Sequence, residues 1–234
     1  MTRIVILTGA GISAESGLGT FRDAGGLWAT HRLEDVATPE AFHRDPVLVH
    51  QFYNARRQQA AAAIPNAAHK ALARLEATMG HDVLLVTQNV DDLHEKAGSR
   101  NVLHMHGRLA GALCHVCGHR WIAPPEMRPE DSCPSCRANA TRPDVVWFGE
   151  YPHGMDRIEQ ALSEAAMFAA IGTSGQVYPA AGFVMQARQC GADTVELNLE
   201  PSETSSAFAQ TRLGKASEIV SLWVDELLDS VPQG

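Results

Sequence analysis

The sequence lacks long apolar runs and lacks an excess of positive charge. No stretch of about 18 consecutive apolar residues occurs, so we expect no membrane-spanning helix. Lys and Arg together number 19 against 27 for Asp and Glu, and the net charge of −8 provides no basic field for nucleic acid or an anionic membrane. The apolar run at residues 4–7 leads directly into glycines and not into a signal-peptide cleavage site. We therefore expect a cytoplasmic protein with no nucleic-acid or membrane partner.

Cysteine is also scarce, with five residues in 234. An odd number of cysteines argues against a secreted disulfide framework. Cys190 stands alone, and we expect it to be a buried, small apolar residue, to which we assign no role. The other four form two Cys-x-x-Cys pairs separated by 15 residues, the spacing of a structural zinc site with four thiolate ligands and no open position. The predicted ligands of one structural Zn²⁺ are Cys114, Cys117, Cys133 and Cys136.

Short apolar segments rich in β-branched residues recur along the chain, and each is followed by a turn and then by helical periodicity. This alternation predicts an α/β fold with a Rossmann-like, doubly wound parallel sheet. The strands are continuously apolar, which indicates helices on both faces of the sheet. The predicted strands are residues 3–8, 82–87, 101–104, 168–172, 194–199 and 218–222.

Two segments interrupt the alternation. Residues 26–64 contain a helix without a strand, for which Asp45 is a suitable N-cap and Pro46 a suitable first residue. Residues 110–142 contain the paired cysteines and several prolines but no long helical pattern. We predict that these two segments form a smaller inserted zinc-binding and helical domain. The Rossmann-like domain would then comprise residues 1–25, 65–109 and 143–234.

A glycine motif directly follows the first predicted strand. Gly9, Gly11 and Ala14 satisfy the G-x-G-x-x-G/A pattern between a strand and a helix. Such glycines allow backbone amides to approach a pyrophosphate, which the helix N-terminus stabilises. Ligands of doubly wound sheets bind at the carboxyl ends of the strands, and polar clusters follow the later strands at residues 88–91, 104–107, 172–174 and 198–200. Together these features predict a dinucleotide crevice.

One feature of a dehydrogenase is missing, because no acidic residue ends a second strand about 20 positions after the glycines. The glycine-rich loop after the first helix carries Phe21 and Arg22 instead. An aromatic residue and an arginine on a mobile loop favour a lid over a charged ligand. A solvated surface loop is the alternative.

The motifs now in hand resemble those of the sirtuins, the NAD-dependent protein lysine deacylases. In sirtuin order the chain contains GAGISAESGLGTFRD, TQNVDDLHEKAG, HMHG, the two cysteine pairs, VVWFGE, GTSGQVYPAAG and NLEPS. The resemblance is greatest to the compact bacterial members of class III, and it implies removal of acetyl groups and, through Tyr53 and Arg56, of succinyl or malonyl groups. It implies NAD as co-substrate, acyl-lysine proteins bound as extended peptides, and release of nicotinamide and O-acyl-ADP-ribose.

The resemblance also implies roles for individual residues. His106 matches the catalytic base, whereas His104 is expected to be a packed strand histidine. Asn89 and Asp91 match catalytic residues that hold the ring and steady developing positive charge. The residues implied in cofactor binding are Gly9, Ala10, Gly11, Ile12, Ala14, Phe21, Arg22, Gln88, Val90, Gly172, Thr173, Ser174, Asn198, Leu199, Glu200 and Ala216. In the VVWFGE segment, Val146 and Phe148 would bind the substrate peptide by main-chain pairing.

Acyl-group preference is predicted from the helix after Pro46. Tyr53 and Arg56 lie three residues apart on neighbouring positions of one face. A semi-buried arginine with a tyrosine hydroxyl as second donor suits a carboxylate, and the resemblance implies recognition of succinyl- or malonyl-lysine, with Ala37 widening the pocket. The alternatives are an arginine that extends into solvent or pairs with an internal acid. Arg57 is expected to be the solvated neighbour.

The sequence is also compatible with two other functions. The first is an NAD-dependent ADP-ribosyltransferase, which cleaves the same bond but modifies a protein acceptor. The second is an NAD-regulated binding module in which the zinc ribbon contacts a partner. Residues 110–142 contain four arginines against three acids, a balance too even for a phosphate-binding stripe.

Overall fold

The computed structural model describes residues 4–19 and 32–230. Phe21 and Arg22, for which cofactor contacts are predicted, lie outside the described residues. Within the described ranges no helix combines the length and the apolar character needed to cross a bilayer.

The described residues form both strands and helices. The strands are β1 (Ile4–Thr8), β2 (Val83–Thr87), β3 (Val102–His104), β4 (Gly107–Cys114), β5 (Arg120–Ile122), β6 (Thr141–Val145), β7 (Met167–Ile171), β8 (Asp193–Asn198) and β9 (Gln210–Leu213). The α-helices are α1 (Ala10–Ala14), α2 (Leu33–Val36), α3 (Pro39–Arg44), α4 (Pro46–Ala62), α5 (Ala67–Met79), α6 (Leu93–Ala97), α7 (Met155–Glu164), α8 (Phe183–Gln189) and α9 (Ala216–Asp229).

The main sheet has six parallel strands in the order β3-β2-β1-β7-β8-β9. In its centre, Ile4 of β1 is in register with Val83 of β2 on one side and Met167 of β7 on the other. A second, antiparallel sheet contains three strands in the order β5-β4-β6. The predicted α/β class with a doubly wound parallel sheet is therefore confirmed.

Side chains alternate between the two faces of the main sheet, as the strand pleat requires. Val5 and Leu7 of β1 pack on one face with α7 and α8, whereas Ile4 and Ile6 pack on the other with α5 and α9. Each of these four side chains is buried, and full burial of one such side chain stabilises a fold by about 1.5–3 kcal/mol. Burial on both faces explains why the strands are apolar at every position.

The prediction of a last strand at residues 218–222 is wrong. Residues 218–222 belong to helix α9, where Val220, Trp223 and Val224 recur at helical spacing and are buried. The last strand is β9 instead, at the edge of the sheet beside β8. Its side chains are mostly exposed, so it lacks the apolar run that marks the inner strands.

The helices α2 to α4 pack against the antiparallel sheet. Val36, Phe52 and Tyr53 form one apolar core with Leu109 of β4 and Val145 of β6. Helix α4 begins as predicted, because the Asp45 side chain accepts a hydrogen bond from the backbone N–H of Leu48 at 2.9 Å and Pro46 is the first residue. The antiparallel sheet extends across both predicted domain boundaries, 109/110 and 142/143. The division into two domains stays a prediction.

Two expectations about exposure are wrong. Arg57 is buried, and its guanidinium donates hydrogen bonds of 2.8 Å to the Leu109 carbonyl and to Asn54 Oδ1. The guanidinium also lies 3.4 Å from the sulfur of Met127. Arg57 therefore connects α4 to residues 110–142, which contain the paired cysteines and are called the zinc segment below. Helix α4 is covered on more than one face, which its own sequence does not reveal. Cys190 is exposed instead of buried, because it follows the last turn of α8.

Two buried histidines pack behind the carboxyl ends of the central strands. The rings of His69 and His94 lie 4.9 Å apart. His94 Nε2 is 3.0 Å from the Thr8 hydroxyl, and His69 Nδ1 is 3.1 Å from Asn66 Oδ1. Burial lowers the pKa of His69 to about 4. Burial, with further contributions from the nearby histidines His69 and His104, lowers the pKa of His94 well below its usual range.

We expect acid to destabilise the fold through this pair. Between pH 6.5 and about 4 the unfolded chain binds more protons than the folded chain, so stability increases with pH in this window and is lost as the pH falls. For His69 alone the loss is about 3 kcal/mol. This loss of stability is measured by urea unfolding of the wild type and of His69→Gln at pH 7, 5.5 and 4. The slope of the unfolding free energy against pH should be smaller in His69→Gln than in the wild type, and it should be unchanged in His43→Gln, which replaces an exposed histidine. Equal slopes in the wild type and His69→Gln would contradict the prediction.

Candidate active site

The candidate site lies at the carboxyl edge of the main sheet, where the strand order changes direction. Strand β1 has β2 on one side and β7 on the other. In doubly wound sheets the loops that leave such neighbouring strands diverge and open a crevice for a ligand. The predicted polar clusters all follow strands at this edge, at the ends of β2, β3, β7 and β8.

The glycine turn after β1 is in direct contact with the turn after β7. The backbone N–H of Gly9 donates to the Ile171 carbonyl at 3.0 Å, and that of Gly11 donates to the Gly172 carbonyl at 2.9 Å. A Cβ on Gly9 or Gly11 would lie 2.7 Å from a backbone atom of Gly172, and Gly172 itself has a φ of +63°. These glycines therefore allow two loops to touch, and Ala10 and Gly11 remain partly exposed above the contact.

A buried row of polar groups joins this turn to the loop after β2. The Asn89 carboxamide donates to the Gly9 carbonyl and to the Ser13 hydroxyl, both at 3.1 Å. The Ser13 hydroxyl in turn donates to Asp91 Oδ2 at 3.2 Å, and the Leu93 backbone N–H donates to Asp91 Oδ1 at 3.1 Å. Ser13 is absent from the predicted site residues, and its position within the GAGIS motif is the signal that could have identified it.

Asp91 and Asn89 are each only 8% exposed. Burial raises the pKa of Asp91, and the hydrogen bonds from Leu93 and Ser13 partly counter that increase. The row places one carboxamide and one carboxylate beside the glycine turn at this edge of the sheet.

His106 lies between β3 and β4, and its tautomer follows from its neighbour. Its Nδ1 is 3.2 Å from the Gln88 carbonyl oxygen. A carbonyl only accepts, so Nδ1 carries the hydrogen and Nε2 keeps the lone pair. Burial lowers the pKa of His106, the Gln88 carbonyl partly counters this, and His153 lowers it further. The imidazole is therefore neutral near pH 7 and can act as a base.

His104 is the packed, hydrogen-bonded strand histidine that was expected. Its Nδ1 is 3.1 Å from the Asn89 carbonyl, and its Nε2 is 2.7 Å from Glu95 Oε1. Only 7% of its side chain is exposed. Both ring nitrogens are thus occupied, and His104 holds the backbone that carries Asn89.

The other predicted cofactor residues differ in their surroundings. Asn198 donates to the Thr173 carbonyl at 2.7 Å, which joins the turns after β7 and β8. Leu199 is 67% exposed and Glu200 is also exposed. Val90 instead packs in the core beneath α4, and its carbonyl accepts from Leu109 at 2.8 Å. The rest lie on the turns or at helix starts at the same edge: Ile12 and Ala14 in α1, Gln88 after β2, Ser174 after β7 and Ala216 at the start of α9.

The predicted acyl-binding residues lie together in and beside the apolar core of helices α2 to α4. The Tyr53 hydroxyl accepts a hydrogen bond from the Trp147 indole N–H at 2.9 Å. The Arg56 guanidinium carbon is 5.8 Å from the Phe52 ring centroid and 5.9 Å from that of Tyr53. Burial lowers the pKa of Arg56, while Tyr53 and Asp91 favour its charged form. Arg56 is thus a partly desolvated cation on the side of the site where Asp91 lies.

The predicted peptide-binding segment is attached to the protein by its own amides. The Val146 backbone N–H donates to the His106 carbonyl at 2.9 Å, and the Phe148 N–H donates to the Ala37 carbonyl at 3.0 Å. Those two amides already have acceptors within the chain. Any main-chain pairing with a peptide therefore needs other groups of this segment, such as carbonyl oxygens or the backbone that follows Phe148.

The four paired cysteines form a compact cluster at the tip of the antiparallel sheet. Their sulfur atoms all lie within 4.8 Å of one another. The distances from Cys114 to Cys136 and from Cys117 to Cys133 are 3.7 Å between sulfurs. A tetrahedron with Zn–S bonds of about 2.3 Å has edges of this length. The four thiolates therefore fit one structural Zn²⁺, as predicted.

Zinc removal is expected to destabilise the whole inserted segment. Without the metal, residues 110–142 lose their crosslink, and Met127 no longer holds its place against Asn54 and Arg57 of α4. The free energy of unfolding should decrease by several kcal/mol, since about 10–16 kcal/mol accompanies zinc binding in isolated zinc peptides. This decrease in stability is measured by metal analysis combined with thermal unfolding before and after chelation. Cys136→Ser should reproduce the loss and Cys190→Ser should not; full stability after stoichiometric zinc release would contradict the prediction.

This chain is similar to several known proteins. The model of the Sir2 family matches residues 9–179. An NAD-dependent protein deacylase of Caulobacter vibrioides is 55% identical over 230 residues, which cover 97% of this chain and 97% of that protein. Among solved structures, a Sir2 homologue in complex with NAD is 38% identical, with a TM-score of 0.89 over 97% of this chain and 90% of that chain.

A second solved structure contains both a peptide and an acyl product. It is a Sir2 protein with a histidine-to-alanine substitution, bound to a deacetylated peptide and 3′-O-acetyl-ADP-ribose. Its identity to this chain is 26%, with a TM-score of 0.80 over 96% of this chain and 93% of that chain.

Proposed function

The chain belongs to the Sir2 family, and from this premise we propose that it is an NAD-dependent protein deacylase that removes acyl groups from lysine side chains. When bound, NAD supplies a nicotinamide–ribose bond that can be cleaved and a ribose that accepts the acyl group. The expected products are nicotinamide, deacylated lysine and O-acyl-ADP-ribose.

The buried polar row suits the binding of such a co-substrate. Asn89 offers a carboxamide and Asp91 a carboxylate, and both are held in place by Ser13 before any ligand arrives. Preorganised dipoles and charges of this kind stabilise positive charge that develops during a reaction without reorganising. The row has no nucleophilic role in this proposal, because its groups are already hydrogen-bonded within the protein.

His106 is the base in this proposal. Its Nδ1–H donates to the Gln88 carbonyl, so Nε2 is the nitrogen that can take a proton from a ribose hydroxyl. The lowered pKa of His106 keeps Nε2 unprotonated near pH 7. The observation that supports the proposal most strongly is the position of this base. It lies one strand away from the Asn89–Ser13–Asp91 row, at the same edge of the sheet.

The proposal extends to acyl groups that end in a carboxylate. Arg56 and Tyr53 provide a partly desolvated guanidinium and a hydroxyl on the same helix, and these are the donors that a succinyl or malonyl carboxylate needs. Ala37, which is buried beside Phe148, offers a small side chain at the same place. The acyl-lysine itself would arrive in an extended peptide along residues 146–150. A cytoplasmic location stays a prediction.

Product analysis tests the proposal. Purified protein is incubated with NAD and with two peptides that differ only in an acetyl or a succinyl group on one lysine. Mass spectrometry should find nicotinamide, deacylated peptide and O-acyl-ADP-ribose in equal amounts. ADP-ribose attached to a protein acceptor would favour transferase activity instead. Intact NAD combined with retention on DNA or a partner protein would favour the binding module.

A further inference from the structure

Trp147 occupies a position that links the peptide-binding segment to the acyl-binding residues. It lies two residues after β6 and is only 2% exposed. Its indole packs in the core of α2 to α4, where its ring centroid is 5.2 Å from that of Phe42 and 6.3 Å from that of Tyr53. The indole N–H points to the Tyr53 hydroxyl.

The protein holds this indole on several sides. The guanidinium carbon of Arg142 lies 3.5 Å from the centroid of the Trp147 ring. Arg142 also forms two hydrogen bonds with the Glu150 carboxylate, at 2.6 and 2.8 Å. The same carboxylate accepts the backbone N–H of Trp147 at 2.8 Å. The ring face and the backbone are thus both fixed, and the direction of the indole N–H is set without a ligand.

The chemistry of the two groups determines how they share hydrogens. An indole N–H can only donate, whereas a phenolic hydroxyl can both donate and accept. In the 2.9 Å contact Tyr53 is therefore the acceptor. Its own hydrogen is left for a different acceptor, and a hydroxyl that accepts one hydrogen bond becomes a better donor of the next.

We propose that Trp147 is a positioning residue for acyl-group selection: its indole N–H fixes the Tyr53 hydroxyl as a donor aimed at the distal carboxylate of a succinyl or malonyl group. This inference rests on the proposed function, because it deepens the role given there to Tyr53 and Arg56. An acetyl group has no distal carboxylate, so the contribution of Trp147 through Tyr53 applies to acidic acyl groups.

The surroundings keep Tyr53 in the protonated state that the inference requires. Burial raises the pKa of the Tyr53 hydroxyl, although Arg56, Arg142 and the Trp147 hydrogen bond partly counter this increase. The hydroxyl is consequently neutral near pH 7 and available as a donor.

The test compares KM for matched succinyl- and acetyl-lysine peptides in Trp147→Phe, which retains an aromatic ring but loses the N–H. The KM for the succinyl-peptide should rise about three- to tenfold more than the KM for the acetyl-peptide, the effect of one lost hydrogen bond, and the kcat ratio of the two peptides should stay constant. Trp121→Phe in the zinc segment is the matched control, and its KM ratio should equal that of wild type.

A double-mutant cycle separates orientation of the hydroxyl from general loosening of the core. If Trp147 acts through Tyr53, Trp147→Phe should change the KM ratio in wild type but add nothing in the Tyr53→Phe background. An equal change in both backgrounds, or no change in wild type, would overturn the inference. If Arg56→Met lowers the preference for succinyl and Trp147→Phe does not, only the inference fails. If Arg56→Met leaves the preference unchanged, the proposed acyl recognition fails together with it.

A second measurement uses the wild-type protein and does not depend on the folding of a Trp147 variant. The ¹⁵N-labelled indole signal of Trp147 is assigned by its movement in Tyr53→Phe. Saturating succinyl-peptide should shift this signal more than saturating acetyl-peptide, because the Tyr53 hydroxyl then donates to the carboxylate. Identical shifts with the two peptides would overturn the inference.

Discussion

Replacing His106 with alanine should reduce kcat for deacylation by about 100- to 10,000-fold, the usual contribution of a positioned general base. His104, two residues earlier in the chain, cannot replace the imidazole Nε2 in this variant, since both of its ring nitrogens are bonded to Asn89 and Glu95. NAD binding should change little, because the Asn89–Ser13–Asp91 row has no hydrogen bond to the His106 side chain among the described contacts.

Steady-state assays with acetyl- and succinyl-peptide, together with a direct titration of NAD, measure both parts of this prediction. His81→Ala is the matched control. His81 is exposed and precedes β2, at the opposite edge of the sheet from the site, so its replacement should leave kcat as it is. Wild-type turnover by His106→Ala would remove His106 from the mechanism, and loss of NAD binding would mean that it has a structural role.

Replacing Arg56 with methionine should reduce kcat/KM for succinyl-peptide by roughly 10- to 100-fold more than for acetyl-peptide, the value of a charge-assisted hydrogen bond to a carboxylate. Methionine keeps an unbranched apolar side chain against Phe52 and Tyr53 and removes only the guanidinium. The prediction depends on a guanidinium whose pKa burial has lowered, which indicates partial desolvation. A desolvated cation gains more from an incoming anion than a solvated one does.

The neighbouring arginine provides a demanding control. Arg57→Met removes a guanidinium from the same helix turn, but this guanidinium already donates to the Leu109 carbonyl and to Asn54 Oδ1. Arg57→Met should lower stability and leave the ratio of desuccinylation to deacetylation unchanged.

Asp91 also attracts Arg56. If Arg56 served mainly to hold Asp91, Arg56→Met would impair both acyl peptides equally, and that result would contradict carboxylate recognition.

Features that depend on short stretches of chain could be predicted from the sequence. The apolar strands at the centre of the sheet are recognisable because both of their faces are buried. The start of α4 follows from Asp45 and Pro46, which act within one helical turn. Expectations failed where the surroundings come from elsewhere: β9 is an exposed edge strand without an apolar run, and Arg57 is buried by segments 52 and 70 residues away along the chain.

By itself, the sequence determined the class of fold, the four zinc ligands and the types of residue at the site, since periodicity, cysteine spacing and motifs are properties of neighbouring residues. Only the tertiary structure decided which of these residues act on one another. The Ser13–Asp91 and Trp147–Tyr53 hydrogen bonds join positions 78 and 94 residues apart. Such contacts depend on strand order and on the packing of α4 against the antiparallel sheet. They also depend on strand register, since a shift of one residue in the pairing of a strand would turn each of its side chains to the opposite face of the sheet.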